Sequence, residues 1–266
     1  VLSAPRFSAH IDRITTGANI PHISGKDIAA YSFRLPPIDE QRRIGKTIAA
    51  YDDLIENNQR RIQLLEEAAR RLYREWFVAL RFPEHERVQV VEGVPQGWKQ
   101  ATLGDALQLQ RGFDLPSGAR KEGAVPIIAS TGVTGFHDEA RVCGPGVVTG
   151  RSGTLGSVHF VHEDFWPLNT SLWVKEFRGV TPLVAYFMLQ ELGLSQFNSG
   201  ASVPTLDRKV VHPMPAIIPP TQVQAEFEAV AAPMFSQVRT LTQAANKARQ
   251  ARDALLPRLI SGALAV

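Results

Sequence analysis

The sequence predicts an α+β protein, in which a mixed α/β domain is flanked by two long helices that form an antiparallel coiled coil. Three observations support this fold class. Segments 39–80 and 221–262 repeat apolar residues at alternating steps of three and four, which is the spacing of a coiled-coil seam. Between them, residues 88–220 are rich in Gly and Pro and contain short β-type runs. The third observation is an internal repeat that relates the two helical segments.

The size and composition of the chain are those of a soluble globular protein. It has 266 residues, of which 44% are hydrophobic and 21% charged, enough for one or two domains with a buried core. It lacks both a signal-peptide pattern and the apolar run of about 18 residues that a membrane span requires. We therefore expect a cytoplasmic protein that does not associate with a membrane. The single cysteine, Cys143, excludes an internal disulfide and a cysteine-based zinc site.

The repeat becomes visible when residues 17–77 are shifted by 183 positions onto residues 200–260. The coinciding pairs include Gly17/Gly200, Ala18/Ala201, Pro21/Pro204, Lys26/Lys209, Pro36/Pro219, Pro37/Pro220 and Gln41/Gln224. A single long repeat of this kind indicates a duplicated unit. Since the chain begins with Val and most of the first copy has no counterpart here, we interpret residues 1–38 as the C-terminal remnant of a first globular unit.

The two long segments carry the same apolar seam in the same register. The residues expected to pair the helices are Ile44, Ile48, Ile55, Asn58, Ile62, Leu65 and Leu72 in the first segment and Phe227, Met234, Val238, Leu241 and Leu255 in the second. Because a whole domain connects the segments, we expect them to run antiparallel, with Asn58 near Leu241 or Ala245. Asn58 and Arg252 interrupt the seam, either as buried polar residues that fix its register or because the seam is exposed there.

The middle of the chain contains the elements of a mixed domain. Strands are predicted at residues 125–129, 142–149, 157–162 and 171–177. Thr181 and Pro182 are typical of a helix cap and first helical residue, so a helix is predicted from there to about residue 197. Residues 83–98 form a linker that leads into the domain.

Net charge does not identify this middle domain as a DNA-binding module. The chain carries a formal charge of +3, but residues 88–220 contain ten Lys and Arg against eleven Asp and Glu, a net of −1. Any DNA binding must then come from locally arranged arginines or from a partner. The excess of Arg over Lys, 22 to 7, suits bidentate recognition of guanine or phosphate and equally suits a GC-rich genome.

Several motifs follow one another in a fixed order along the chain. The first unit contains GANIPHI (17–23), LPPIDEQ (35–41) and Phe77, and the middle domain contains VPQGW (94–98), TGRSGTLGSVHFV (149–161), FWPLNTSLWV (165–174) and SGASVPTL (199–206). In this combination, essentially the whole chain resembles the specificity subunit of type I restriction-modification enzymes. One departure is that the second Pro-Pro continues as PPTQVQAEF where the first continues as PPIDEQRRI.

The resemblance implies a function in double-stranded DNA recognition. Residues 88–220 would be the second of two target-recognition domains, each reading half of a split site, and the helices would hold the two domains at a fixed separation. The resemblance implies no catalysis and no cofactor in this chain. Methyltransferase (M) subunits would supply S-adenosylmethionine, and restriction (R) subunits would use ATP and Mg²⁺. The competing hypothesis is a coiled-coil scaffold whose middle domain binds protein.

The candidate DNA-binding residues are basic or hydroxyl side chains in turn-rich segments. They are Arg151, Ser152, Arg111, Arg120, Lys121, Ser130, Thr131 and Arg141. The GRSGTLG segment lacks the lysine of a phosphate-binding loop and no helix is predicted after it. It is either a hairpin that brings backbone and Arg151 close to DNA or a purely structural turn. The loop from residue 110 to 123 presents Arg to guanine in the major groove or is simply solvated.

No group of residues in the sequence has the arrangement of a catalytic or metal site. His159 and His162 are three apart on a predicted strand and therefore point to opposite faces. The acidic pairs are adjacent in sequence and are not spaced as a general acid and base. A hydrolase or transferase hidden in the glycine-rich segment would lack a nucleophile–base set.

Overall fold

The computed structural model describes residues 5–15, 23–32, 35–200 and 203–264. Residues 17–22 of the first motif lie outside the described residues. The α-helices are α1 (Pro5–Ile14), α2 (Gly25–Ala29), α3 (Ile38–Tyr73), α4 (Leu103–Ala106), α5 (Pro182–Glu191), α6 (Arg208–Val211) and α7 (Thr221–Ile260). The strands are β1 (Val90–Val91), β2 (Val94–Pro95), β3 (Lys99–Thr102), β4 (Leu107–Arg111), β5 (Val125–Ala129), β6 (Gly132–His137), β7 (Gly146–Gly150), β8 (Val158–Val161), β9 (Trp166–Pro167), β10 (Ser171–Phe177) and β11 (Pro215–Ile218).

The chain divides into two compact units. One comprises Val1–Leu64 and Gln237–Val266, and the other comprises Leu65–Ser236. The helices α3 and α7 each contribute to both units. Each unit therefore contains one stretch of each long helix.

In the first unit, the long helices pack through the predicted seam. Of the predicted pairing residues in this unit, Ile44, Ile55 and Asn58 of α3 and Leu241 of α7 are buried, and so is Ala245 of α7. The side chain of Arg252 is only partly buried, and its Nη1 lies 2.6 Å from Oδ1 of Asp52 in α3. Asn58 is thus a buried polar seam residue, whereas Arg252 sits where the seam meets solvent and is ion-paired.

The contacts along α3 and α7 show that the two helices run antiparallel, as the sequence predicted. Asp52 contacts Arg252 near the end of α7, whereas Tyr73, further along α3, contacts Phe227 near the start of α7. Counting six residues from each member of the ion pair (58 − 52 and 252 − 246) places Asn58 opposite residue 246. This register agrees with the expected position of Asn58 beside Ala245.

The second unit has a core built around α5. Residues 183–189 of this helix are apolar on every side, as is typical of a helix inside a core, and all of them are buried. Tyr73 of α3 stacks on Phe187 of α5 with ring centroids 5.3 Å apart, and Phe227 of α7 lies 6.0 Å from Phe187. A four-stranded antiparallel sheet, in the order β4-β10-β7-β8, supplies further core residues such as Leu109.

Three smaller sheets complete the second unit. The strand β5 pairs antiparallel with β6 and parallel with β9. Ile127, Trp166 and Leu168 form a separate small core beside this sheet. The strands β3 and β11 pair antiparallel, as do β1 and β2.

Two predicted strands, 125–129 and 171–177, coincide with β5 and β10, and the strand predicted at 157–162 is one residue longer than β8 at each end. Two other predicted elements were too long by several residues. The strand expected at 142–149 begins only at Gly146, because Pro145 has no N–H to contribute to a ladder. The helix expected to reach residue 197 ends at Glu191, since Gly193 adopts a left-handed conformation with φ of 59°. The helix predicted at 39–80 is α-helical only as far as Tyr73, and a π-helical turn, Arg74–Val78, follows it.

The internal repeat is visible in hydrogen bonds as well as in sequence. The helices α3 and α7 begin 183 residues apart (221 − 38). Nε2 of Gln41 donates to the carbonyl oxygen of Pro36 at 2.7 Å, and Nε2 of Gln224 donates to that of Pro219 at 2.8 Å. The two glutamines therefore make the same contact in the two copies, despite the different residues around them.

Candidate nucleic-acid interface

Arginines from two strands of the four-stranded sheet converge at one end of it. Because β4 and β7 both run antiparallel to β10, their last residues lie together beside the first residues of β10. Arg111, the last residue of β4, is opposite Leu172, and Gly150, the last residue of β7, is opposite Ser171. Arg151 follows Gly150 directly. The sheet topology thus brings together two candidates that are 40 residues apart in sequence (151 − 111).

These two arginines line a cleft of about 310 Å³. Arg208 and Lys209 of α6 line the same cleft, together with the carboxylate of Asp207. Four cations therefore surround one concave surface of a domain whose total charge is slightly negative. We call this surface the basic cleft.

The backbone at Arg151 and Ser152 is held by hydrogen bonds to segments on both sides. The N–H groups of Arg151 and Ser152 both donate to the carbonyl oxygen of Thr170, at 2.9 and 3.0 Å. On the other side, the N–H of Leu206 donates to the carbonyl oxygen of Arg151 at 2.8 Å, and Ser152 forms a β-bridge with Thr205. These bonds connect the GRSGTLG hairpin to Thr205 and Leu206, which precede α6, and so bring α6 to the cleft.

The glycines of the GRSGTLG hairpin are required by the turn itself. A Cβ atom on Gly150 would lie 1.9 Å from the carbonyl oxygen of Thr154, and Gly153 and Gly156 have φ values of +84° and +87°. This geometry supports the structural interpretation of the glycines. Arg151 lines the cleft, and its Nη1 donates a hydrogen bond to the carbonyl oxygen of Asn169 at 3.3 Å.

The short helix α6 presents two cations, Arg208 and Lys209, that were not among the predicted DNA-binding residues. The Asp207 carboxylate caps α6 by accepting a hydrogen bond from the N–H of Lys209 at 2.9 Å. Nη1 of Arg208 reaches the carbonyl oxygen of Leu109 at 3.5 Å. One signal for this site was present in the sequence, because Lys209 coincides with Lys26 in the repeat.

Next to Arg208, the side chain of His212 contacts the edge of the sheet. Its Nε2 accepts a hydrogen bond from the N–H of Leu109 at 3.0 Å. Burial lowers the pKa of His212, and the charges of Arg208 and Arg178 lower it further, whereas Asp207 raises it. The neutral imidazole is therefore favoured, as the accepted hydrogen bond requires.

The other basic candidates lie near the three-stranded sheet and not in the cleft. Nζ of Lys121 is 3.7 Å from Asp138, and Arg141 lies over the ring of Trp166, 4.8 Å from its centroid. Arg120 has a buried Nε atom without a hydrogen-bond partner. These three residues form a second basic region, close to acidic neighbours.

The hydroxyl candidates at the β5–β6 turn differ from each other in exposure. Ser130 is buried, with an exposed fraction of 7%. Thr131 is exposed. Arg111 in the cleft is half exposed and has Asp114 as an ionic neighbour at 3.7 Å.

Within the described ranges, we find no group of three or more His, Cys, Asp or Glu side chains that converges as a metal site. The same residues contain no helix long and apolar enough to cross a membrane. His159, one of the two histidines considered above, has its pKa lowered by burial and contacts the carbonyl oxygen of Ser130 at 3.5 Å.

Comparisons with known proteins agree with the resemblance found in the sequence. Residues 6–67 match the family model of the Type I restriction modification DNA specificity domain. The chain is 24% identical to the MjaIX specificity subunit of a type I restriction enzyme from Methanocaldococcus jannaschii, over 98% of this chain and 67% of that protein. It is 29% identical to the MjaVIII specificity subunit from the same organism, over 37% of this chain and 23% of that protein.

A solved structure shares the fold. The S subunit of a type I restriction-modification system from M. genitalium matches with a TM-score of 0.63 at 18% identity, covering 95% of this chain and 69% of that one. These matches in sequence and in fold are to specificity subunits of type I restriction-modification systems, and the chain is similar to them. The match to MjaIX extends over nearly the full length of this chain.

Proposed function

We propose that this chain is the DNA sequence-recognition subunit of a type I restriction-modification complex and that the basic cleft is part of its DNA-binding surface. The observation that carries the proposal is the convergence of four cations on one cleft, in a domain whose net charge is −1. A solvated surface spreads its charges, whereas a cluster of this kind attracts a polyanion.

The geometry of the cleft suits contacts with the DNA backbone and with base edges. A guanidinium group has five N–H donors in a planar fork that matches phosphate or the O6/N7 edge of guanine. The backbone of Arg151 is held by Thr170 and Leu206, so its side chain extends from a rigid turn. A rigid support reduces the conformational entropy that is lost on binding.

In this proposal, the segments of the chain have distinct roles. Residues 88–220 form a target-recognition domain. The helical segments 39–80 and 221–262 set the spacing between half-sites. The chain itself is non-catalytic. It directs M and R subunits, and those subunits bind S-adenosylmethionine, ATP and Mg²⁺.

The small net charge of the middle domain also leads us to a prediction about partners. Counterion release scales with the number of phosphates that a protein neutralises, and the cleft offers only a few cations. We therefore expect low DNA affinity for the chain alone and much higher affinity when the M subunits clamp the duplex.

The proposal is tested by DNA binding of the full chain assembled with its M subunits. The probe is a fluorescent pool of duplexes with randomised sequence, and the bound fraction is sequenced to find the target. Arg151→Ala and Arg208→Ala are compared with Lys175→Ala, which removes an exposed cation of β10 outside the cleft. We expect each cleft variant to bind at least about fivefold more weakly than the control.

The pattern of loss distinguishes two roles for Arg151. If Arg151 contacts phosphate, its removal weakens binding to all sequences about equally. If it reads guanine, preference at one base position disappears. Unchanged affinity of both cleft variants would refute the proposal. An assembly with M subunits that gives no salt-dependent DNA complex would favour the protein-binding scaffold.

A further inference from the structure

We propose that His212 is a positioning residue of the basic cleft: it holds α6 against the free edge of β4, so that Arg208 and Lys209 stay beside Arg111 and Arg151. This inference rests on the proposed function. His212 itself lies behind the cleft cations and acts through them.

The first step concerns the edge of the sheet. In the order β4-β10-β7-β8, β4 is a terminal strand. Leu109, in the middle of β4, is fully buried, so its backbone groups need partners. Its N–H donates to Nε2 of His212 at 3.0 Å, and its carbonyl oxygen accepts from Nη1 of Arg208 at 3.5 Å. Two side chains at α6 thus take the place of a neighbouring strand.

The second step concerns the backbone of His212, which is held independently of its imidazole. The carbonyl oxygen of His212 accepts a hydrogen bond from the N–H of Gly104 at 2.9 Å. The N–H of His212 donates to the carbonyl oxygen of Arg208 at 2.9 Å. Removal of the imidazole therefore breaks its hydrogen bond between β4 and α6, while the backbone hydrogen bonds of His212 remain.

The third step is the protonation state. Nε2 accepts a hydrogen bond only in the neutral ring, with the proton on Nδ1. A second proton would place an N–H group against the N–H of Leu109 and break the link. Burial and the charges of Arg208 and Arg178 lower the pKa of His212, and Asp207 opposes them. The carboxylate of Asp105, beside Gly104 in α4, is occupied by hydrogen bonds from Thr102.

The sign of the pH dependence follows from this geometry. A histidine with a lowered folded-state pKa contributes its stabilisation above its usual pKa and loses it as the pH falls through the lowered value. The link between β4 and α6 is therefore intact at neutral pH and lost in acid. General electrostatics predicts the opposite for DNA affinity, because protonation adds positive charge. The two effects can be separated by their signs.

The experiment compares wild type, His212→Gln and His212→Ala, each as the full chain assembled with M subunits. DNA affinity is measured between about pH 7.5 and about pH 4.5, a range that extends below the usual imidazole pKa because that of His212 is lowered. The amide oxygen of Gln can accept from the N–H of Leu109 but does not titrate. We expect about fivefold weaker binding for His212→Ala at neutral pH and restored binding for His212→Gln.

The pH profiles provide the readout that a purely structural role would not change. On acidification, wild type should lose affinity relative to His212→Gln by about fivefold. The ¹⁵N shift of His212 Nε2 and the amide exchange rate of Leu109 report the hydrogen bond directly. Identical pH profiles for wild type and His212→Gln, or wild-type affinity for His212→Ala, would overturn the inference.

Failure of this inference is distinguishable from failure of the proposed function. If Arg151→Ala and Arg208→Ala bind DNA as wild type does, the basic cleft is not a DNA-binding surface, and both proposals fail. If those variants bind weakly while the His212 variants behave as wild type, only the positioning role is wrong.

Discussion

The segment from Ser24 to Gln41 and the segment from Asp207 to Gln224 are two copies of one structural unit, and they differ in what they add to it. Each begins with a capping side chain, Ser24 for α2 and Asp207 for α6. Each ends with a glutamine that donates to a proline carbonyl oxygen five residues earlier. The two copies therefore share a side-chain cap at the start of the short helix and the same glutamine contact at the start of the long helix.

Two of the positions that differ between the copies lie in or beside the basic cleft. At the positions of Arg208 and His212, the first copy has Gly25 and Ala29. Lys26 corresponds to Lys209, but it lacks the arginine and the histidine beside it. The two copies thus keep the same hydrogen bonds at the helix starts, while Gly25 and Ala29 of the first copy correspond to the longer side chains of Arg208 and His212 in the second.

The largest expected effect concerns the seam. Phe227 has no exposed surface and contacts four aromatic rings, including Phe77 at 5.1 Å, whereas Ile44, its counterpart in the repeat, has a smaller buried side chain. We expect Phe227→Ala to lower the free energy of unfolding by about 3–5 kcal/mol and Ile44→Ala by about 2–3 kcal/mol. Urea denaturation measures the free energy of unfolding of both variants. An equal loss, or a larger loss for Ile44→Ala, would contradict the expected difference.

The next effect concerns the two glutamines. Gln224 is buried, and besides its bond to Pro219 it donates to the carbonyl oxygen of Gly179 and accepts from the N–H of Thr181, both at 2.9 Å. Gln41 is half-buried. We expect Gln224→Ala to cost about 2–3 kcal/mol, because it leaves buried backbone groups without partners, and Gln41→Ala to cost about 1 kcal/mol.

Thermal unfolding monitored by circular dichroism compares the two glutamine variants directly. Gln224→Glu serves as a shape-matched control, since it keeps an acceptor for Thr181 and loses the donor to Pro219 and Gly179. Similar losses for Gln41→Ala and Gln224→Ala would show that the extra contacts of Gln224 contribute nothing measurable.

The smallest effect concerns the two caps, only one of which lines the cleft. Asn caps helices about as well as Asp, so Asp207→Asn should keep α6 intact while it removes a negative charge from the basic cleft. We expect DNA affinity to rise by about threefold, as measured by titration of the assembled complex. Ser24→Asn, the matched change in the first copy, should leave DNA affinity as it is. Weaker DNA binding by Asp207→Asn would count against the cleft as the binding surface.

The extent to which the sequence predicted this molecule depends on the length of each element. The period of the long helices is repeated many times, so segment 221–262 lies within two residues of the observed Thr221–Ile260. The strand β9 has two residues and α6 has four, too few to show any period. The strand β6 was missed because its burial alternates irregularly.

The candidate site was predicted only in part for a related reason. Arg111 and Arg151 were recognised because they lie in turn-rich segments with a family resemblance. Arg208 was missed because the contact that brings it to Arg151 is made through the backbone, where Leu206 donates to Arg151. Backbone hydrogen bonds between distant segments cannot be predicted from composition or residue spacing, because every residue type except proline has the same backbone donor and acceptor. The repeat was the one feature that pointed to this region.

The central claim, that the basic cleft binds DNA, is tested most directly by the salt dependence of DNA affinity. The full chain with its M subunits is compared with the Arg151→Ala/Arg208→Ala double variant over a series of salt concentrations. If both arginines neutralise phosphates, the slope of log affinity against log salt should become shallower by about two units. An unchanged slope and unchanged affinity in the double variant would contradict the account.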